Sequence, residues 1–305
     1  MSWRRLACLW IPALAAVSLF QPAELVGQQP FRTKVSIVAI YATVQDRQGG
    51  LVTDLAQSDF EVLDDGKPVE LTLFRNEAVP ITAVLLFDTS GSVTEQSNRL
   101  FSATSEFIGA LWPSDRLRIG SFADEVSLSP LLTNDKRVLL RILNEEVWPG
   151  FTTALWQGLD SAITSLAGEQ GRRVVIALTD GYYSPSNGGI PPLPGGAPRV
   201  KKRAAEDSDL MVYTIWSRQD SRDHGLSPDM VELSQLTGGG HLILPHDADL
   251  RLAMVQLANE LRHQYVLGFS PARMDGKQHK LEVRLLRPGM TPRSRTSYLA
   301  VEKQP

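Results

Sequence analysis

The apolar positions of this chain change rhythm twice. Between residues 31 and 78 they follow the period of two that half-buried strands require. Lys34 to Val44 is dense in β-branched residues, and Phe60-Glu61-Val62 and Val69-Glu70-Leu71-Thr72-Leu73 set apolar against polar positions. Asp65-Gly66 between them has the composition of a tight hairpin turn. From Ile81 the rhythm becomes an alternation of buried strands and amphipathic helices. Val84 to Phe87, Arg116 to Phe122, Val174 to Leu178, Leu210 to Trp216 and His241 to Leu244 read as strands, with Glu125 to Leu128 pairing beside the second. Thr94 to Leu111, Lys136 to Leu143, Thr153 to Leu166, Asp229 to Leu236 and Asp249 to Arg262 read as helices. The last carries Leu250, Met254, Leu257 and Leu261 on one stripe. Gly238-Gly239-Gly240 is a helix stop, and residues 182–200, rich in Gly, Pro, Ser and Asn, read as a long loop. After residue 264 the period of two returns in Tyr265 to Phe269, Leu281 to Leu285 and Thr296 to Val301.

Strand–helix alternation predicts an α/β fold, a doubly wound and mostly parallel sheet flanked by helices. The β segments at the two ends are each too short to bury a core alone. Residues 31–78 and 264–301 are therefore expected to pair into one small β-sandwich, with an α/β domain of residues 81–263 inserted between them.

Composition changes the picture mainly at the start of the chain. Arg4-Arg5, the apolar run Leu6 to Phe20 and the polar stretch around Gly27-Gln28 follow the order of a secretory signal peptide. The run is shorter than the ~20 residues a spanning helix needs. The expectation is that residues 1–27 are removed and the rest is exported, to the periplasm or the extracellular space. Contact with a membrane is expected only if that segment stays uncleaved. Cys8 is the only cysteine, so the mature chain would have neither disulfide nor thiolate nucleophile. Losing two arginines and one glutamate with the leader moves the net charge from −3 to −4, which argues against a nucleic-acid partner.

Candidate chemistry collects where strands end. Asp88-Thr89-Ser90-Gly91-Ser92 follows the buried run 83–87, and Asp180-Gly181 follows Val174 to Thr179 in the same way. In open α/β sheets, ligands bind outside these carboxyl ends. Gly150-Phe151-Thr152-Thr153 adds hydroxyls at a helix start, where an N-cap is the ordinary role. Asp88, Ser90, Ser92 and Asp180, with a threonine of the 152–153 pair, supply two carboxylates and three hydroxyls. Hard oxygen donors of this kind suit Mg²⁺, which retains waters, with Mn²⁺ or Ca²⁺ as alternatives. One open position would then accept a carboxylate from another molecule. Catalytic readings fare worse. The aspartic-protease motif needs a hydroxyl residue and then glycine directly after the aspartate, in two copies. No Gly-x-Ser-x-Gly elbow supports a serine nucleophile. His224, His241, His246, His263 and His279 form no His-Glu-x-x-His pattern, and the glycine-rich stretches lack the Walker lysine.

The stretch Asp88-Thr89-Ser90-Gly91-Ser92, with Thr153 and Asp180, resembles the metal-ion-dependent adhesion site of the von Willebrand factor A family. Thr153-Ala154-Leu155-Trp156 resembles the family's threonine segment and selects Thr153 over Thr152. Asp59-Phe60-Glu61-Val62, Asp65-Gly66-Lys67-Pro68, Leu236-Thr237-Gly238-Gly239 and Gln264 to Phe269 resemble an acidobacterial-type subgroup, over residues 34–301. The resemblance implies that Asp88, Ser90, Ser92, Thr153 and Asp180 are metal ligands, and that an aspartate or glutamate of a partner protein completes the shell. It implies that the helix 249–262 shifts with affinity in some members. The expected function is thus an exported, Mg²⁺-dependent protein-binding module for adhesion or assembly, and not an enzyme. The alternatives are a metal-dependent hydrolase and a scaffold subunit of a cell-envelope complex.

Overall fold

The computed structural model describes residues 37–90, 97–145, 147, 150–182, 191–217, 225–245 and 249–301. The expected signal peptide, the start of the first strand at Lys34, the first turn of the first helix and Ser92 lie outside the described residues.

The chain opens with β1 (Val38–Asp46), β2 (Phe60–Asp64), β3 (Lys67–Val69) and β4 (Leu73–Arg75). β2 and β3 form the hairpin anticipated at Asp65-Gly66. Both residues have positive φ, 49° and 79°, as a tight turn matched to strand twist requires. The alternating run Val69 to Leu73 is not one strand. Val69 closes β3, and Leu73 opens β4 in a different sheet. Alternation specifies which side is buried, and the pairing partner is chosen elsewhere: Leu73 finds Gly268.

The middle of the chain runs β5 (Thr82–Asp88), α1 (Ser97–Ala110), β6 (Arg116–Phe122), β7 (Val126–Leu128), α2 (Lys136–Glu145), α3 (Leu155–Ser165), β8 (Arg173–Leu178), α4 (Gly196–Glu206), β9 (Leu210–Ser217), α5 (Pro228–Thr237), β10 (His241–Leu244) and α6 (Leu250–Arg262). The six strands are ordered β10-β9-β8-β5-β6-β7. Every neighbouring pair is parallel except β6 with β7. Residues 83–87 and 174–178 are buried at every position, so both faces of the sheet are covered. The helices fall into two groups, α1 with α2 and α6, and α3, α4 and α5 in succession. This is the doubly wound, mostly parallel sheet that the alternation predicted. The strand order reverses at β5, which places Asp88 at the switch point.

Two details differ from expectation. The loop does not run to Val200, because α4 starts at Gly196. Pro198 sits in its first turn, where a missing N–H is harmless. The glycine stop after α5 is more specific than a composition signal. Gly238 has φ 76°, and a Cβ on Gly239 would lie 1.9 Å from the carbonyl oxygen of Val212. Gly239→Ala should therefore cost about 1–3 kcal/mol through overpacking. A urea unfolding midpoint unchanged from the parent would contradict this close approach.

The chain closes with β11 (Tyr265–Phe269), β12 (Gln278–Leu285), β13 (Met290–Arg293) and β14 (Ser297–Leu299). They join the first four strands in two antiparallel-paired sheets, β13-β1-β11-β4 and β14-β12-β2-β3. The small sandwich is thus built from both chain ends. Its core includes Ile40, Val44, Phe60, Tyr265, Phe269, Val283 and Tyr298. β13 was not anticipated, because Pro292 interrupts its pattern. It is an edge strand, where proline is tolerated. Arg295 ties this end to α4, donating to the carbonyls of Ala205 (2.6 Å) and Asp207 (3.0 Å). Among the described residues, no helix is long and apolar enough to cross a membrane.

Candidate functional site

β5 delivers Asp88 to the carboxyl edge of the sheet with 1% of its surface exposed. Its Oδ1 accepts the Ser90 main-chain N–H at 3.0 Å, and its Oδ2 accepts the Thr179 hydroxyl at 2.7 Å. The Ser90 hydroxyl bonds to the same carboxylate. Burial pushes the Asp88 carboxyl up to about 6, opposed by the hydrogen bonds from Ser90 and Thr179 and aided by the nearby charge of Asp180. Besides burial, the strongest influences on Asp88 are hydroxyls, a main-chain N–H and a second carboxylate, and among the described residues no lysine or arginine pairs with it.

Asp180 follows β8, the strand next to β5. Its carboxylate accepts the Tyr182 N–H at 3.0 Å, and its carbonyl accepts the Ser227 N–H at 2.9 Å. Gly181 has φ 79°, and a Cβ there would meet Met230 and Ser227 within 2.7 Å, so this turn admits only glycine. The threonine loop is fixed from two sides. Gly150 donates its N–H to the Thr89 carbonyl at 2.9 Å, which ties this loop to the Asp88 loop, and Ala154 donates to Ala123 at 3.0 Å. Thr153 is buried. Thr152 is committed elsewhere, since its hydroxyl donates to Asp124 Oδ1 at 2.7 Å.

The structure thus sets Asp88 and Ser90 in direct contact and Asp180 within electrostatic reach. It fastens the loop of Thr153 beside them, while Ser92 lies outside the described residues. Two residues escaped the sequence reading. Thr179 positions the site: it donates to Asp88 and accepts the Gly181 N–H at 2.9 Å. A hydroxyl directly before the strand-end aspartate was its only signal. Asp124, just beyond β6, accepts the N–H groups of Phe151 (2.9 Å) and Thr152 (3.0 Å) as well as the Thr152 hydroxyl. These hydrogen bonds, the hydroxyl's first, hold its carboxyl below the usual range. Asp124 anchors the threonine loop and offers both oxygens to it.

The donor set fits a divalent cation. A carboxylate this buried, beside a second one and, among the described residues, in no ion pair, carries charge that hydroxyl and amide dipoles offset. Asp88, Ser90, Thr153 and Asp180 offer only oxygen, which suits a hard ion. Phe151, next to the threonine pair, is 91% exposed, and Tyr182, two residues beyond Asp180, is also exposed.

A doubly wound sheet with an acidic, hydroxyl-rich edge at its switch point defines the class of protein to compare. Residues 83–182, about a third of the chain, match the family model of the von Willebrand factor type A domain. None of the curated proteins compared matches the sequence. Among solved structures, a von Willebrand factor type A protein from Catenulispora acidiphila is 12% identical, with 90% of this chain and 78% of that chain covered, at TM-score 0.49. The vWF domain of the type V pili tip protein Mfa5 from Porphyromonas gingivalis is 14% identical, with coverages of 60% and 95%, at TM-score 0.48. The manganese-loaded TRAP protein of Plasmodium vivax is 16% identical, with coverages of 75% and 99%, at TM-score 0.45. Likenesses at this level say nothing of site or partner.

Proposed function

We propose that this chain is a cation-dependent protein-binding module. Mg²⁺ is held by Asp88, Ser90, Ser92, Thr153 and Asp180, and one coordination position stays open for an aspartate or glutamate of a partner protein. The observation that carries the reading is the buried Asp88 carboxylate, oriented by Ser90 and Thr179 and, among the described residues, paired with no lysine or arginine. The ion supplies the missing positive charge and bridges to the incoming carboxylate. Thr179 and Asp124 hold the loops in place, and exposed Phe151 and Tyr182 offer apolar contact around the acidic anchor. Among the described residues, the groups hydrogen-bonded to Asp88 are hydroxyls and a main-chain N–H that orient its carboxylate, which favours binding over hydrolysis. Adhesion or assembly at the cell envelope, after export, is the setting this chemistry suits.

Calorimetry with Mg²⁺ and Mn²⁺ tests the reading. The wild-type chain should bind one ion per site, and Asp88→Ala should lose it. A protein captured from envelope extracts should elute with chelator and fail to bind the variant. Wild-type-like ion binding by Asp88→Ala would sink the assignment.

A further inference from the structure

Away from the strand-end site, a second group of ligating atoms is assembled from the two ends of the chain. Asp64 ends β2, Asp65 opens the hairpin turn, and His279 lies on β12. The His279 side chain is only 6% exposed. Its Nε2 lies 3.1 Å from Asp275 Oδ1, a hydrogen bond. Its Nδ1 lies 3.0 Å from Asp65 Oδ2 and 3.3 Å from Asp64 Oδ1. Neither approach has hydrogen-bond geometry, and Nδ1 and Asp64 Oδ1 are both left without a hydrogen-bond partner. The remaining oxygens are held. Tyr298 donates its hydroxyl to Asp64 Oδ2 at 3.0 Å, and the Lys280 N–H reaches Asp65 Oδ1 at 2.9 Å. Each carboxylate therefore turns one spare oxygen toward one spare imidazole nitrogen.

An imidazole whose N–H is donated to a carboxylate is fixed in tautomer, with the lone pair on its other nitrogen. Here that lone pair would face two anionic oxygens, the buried Asp64 Oδ1 and the more exposed Asp65 Oδ2, a repulsive arrangement that a cation between them relieves. The spacing suits one: ligands about 2.0–2.2 Å from a tetrahedral ion stand about 3.4 Å apart, and the three atoms lie within 4.8 Å of one another. One imidazole nitrogen with two carboxylates suits Zn²⁺ better than Mg²⁺.

The geometry points to a structural zinc site on the β-sandwich, with Asp64 Oδ1, Asp65 Oδ2 and His279 Nδ1 as ligands and Asp275 as the positioning residue. Water would take the fourth place. The ion would staple β2 to β12, strands from opposite ends of a chain whose only cysteine is Cys8. That is the service a disulfide gives in other small β modules.

Zn²⁺ calorimetry and thermal unfolding of the full chain carrying Asp88→Ala test this without interference from the strand-end site. One Zn²⁺ should bind and raise the unfolding temperature, and Mg²⁺ should do neither. His279→Gln should abolish binding. Asp65→Asn should weaken it at least ~10-fold and still fold, because asparagine tolerates the turn's positive φ. Asp275→Asn, which touches no ion, should weaken it about 10–100-fold. Should His279→Gln misfold, Asp65→Asn decides. Absence of Zn²⁺ binding, or binding unchanged by Asp65→Asn, overturns the site and leaves an imidazolium paired with carboxylates.

Discussion

Replacing Asp88 with asparagine should stabilise the metal-free protein at neutral pH while destroying its cation binding. The folded-state carboxyl is raised from 3.8 to about 6, chiefly by burial. A carboxyl with a raised folded pKa favours folding most below its unfolded value. That contribution is lost as pH climbs through the folded value. In chelator, the wild-type chain should therefore lose about 2 kcal/mol from this group between pH 4 and pH 7.5. Asp88→Asn should lack that slope and be the more stable protein at pH 7.5. With saturating Mg²⁺ the order should reverse, because the ion binds only the ionised wild type and adds its binding free energy to folding. Protons and Mg²⁺ then compete for one carboxylate, so wild-type affinity should fall below about pH 6. Urea unfolding at the two pH values, with and without Mg²⁺, reads all of this. Parallel pH profiles for the two proteins in chelator would show that Asp88 is not the strained charge described here.

The second large effect is expected at Arg262→Ala, far from the acidic edge. Asp115 is fully buried and meets Arg262 at 2.7 Å. The same carboxylate accepts the N–H groups of Ile81 (2.8 Å) and Trp112 (2.6 Å), and so joins the start of β5, the turn before β6 and the end of α6. Arg262 also donates to the Ala110 carbonyl at 2.7 Å and lies over the Trp112 ring at 4.6 Å. Its removal leaves a buried, uncompensated charge, which costs about 3–5 kcal/mol. A loss under about 1 kcal/mol in urea would mean that water reaches Asp115 and solvates it. Two residues earlier, Glu260 accepts the Tyr213 hydroxyl at 2.7 Å and pairs with Arg293. The C-terminal end of α6 is thus tied to both the parallel sheet and the sandwich. A helix shift coupled to affinity, as the family resemblance implies, would have to be taken up nearer Leu252 and Val255, which are exposed.

Much of the fold was legible because its signals are local. A strand buried on both faces reads as an apolar run, as in Val84 to Phe87, and α6 shows its stripe at Leu250, Met254, Leu257 and Leu261. The hairpin at Asp65-Gly66 and the stop at Gly238 needed only the backbone freedom of their residues. Errors arose where a local period had to be assigned a distant partner. Val69 to Leu73 alternates throughout, yet its two ends pair in different sheets, and β13 hides its edge position behind Pro292. The strand-end oxygens were legible in type and order, because strand ends on one edge of a parallel sheet point the same way.

The sequence by itself determined the rhythm of elements, the joining of both ends into a sandwich, and the oxygen character of the switch-point loops. The first and third follow from side-chain periodicity and turn chemistry within a few residues, and the second from two β segments each too short to bury a core alone. Only the tertiary structure decided that Thr179 orients Asp88, that Asp124 fastens the threonine loop, and that Asp64 and Asp65 meet His279. Those contacts depend on strand order and register. Burial turns Asp88 and His279 from ordinary polar groups into ones that need a partner, and no spacing along the chain records that burial.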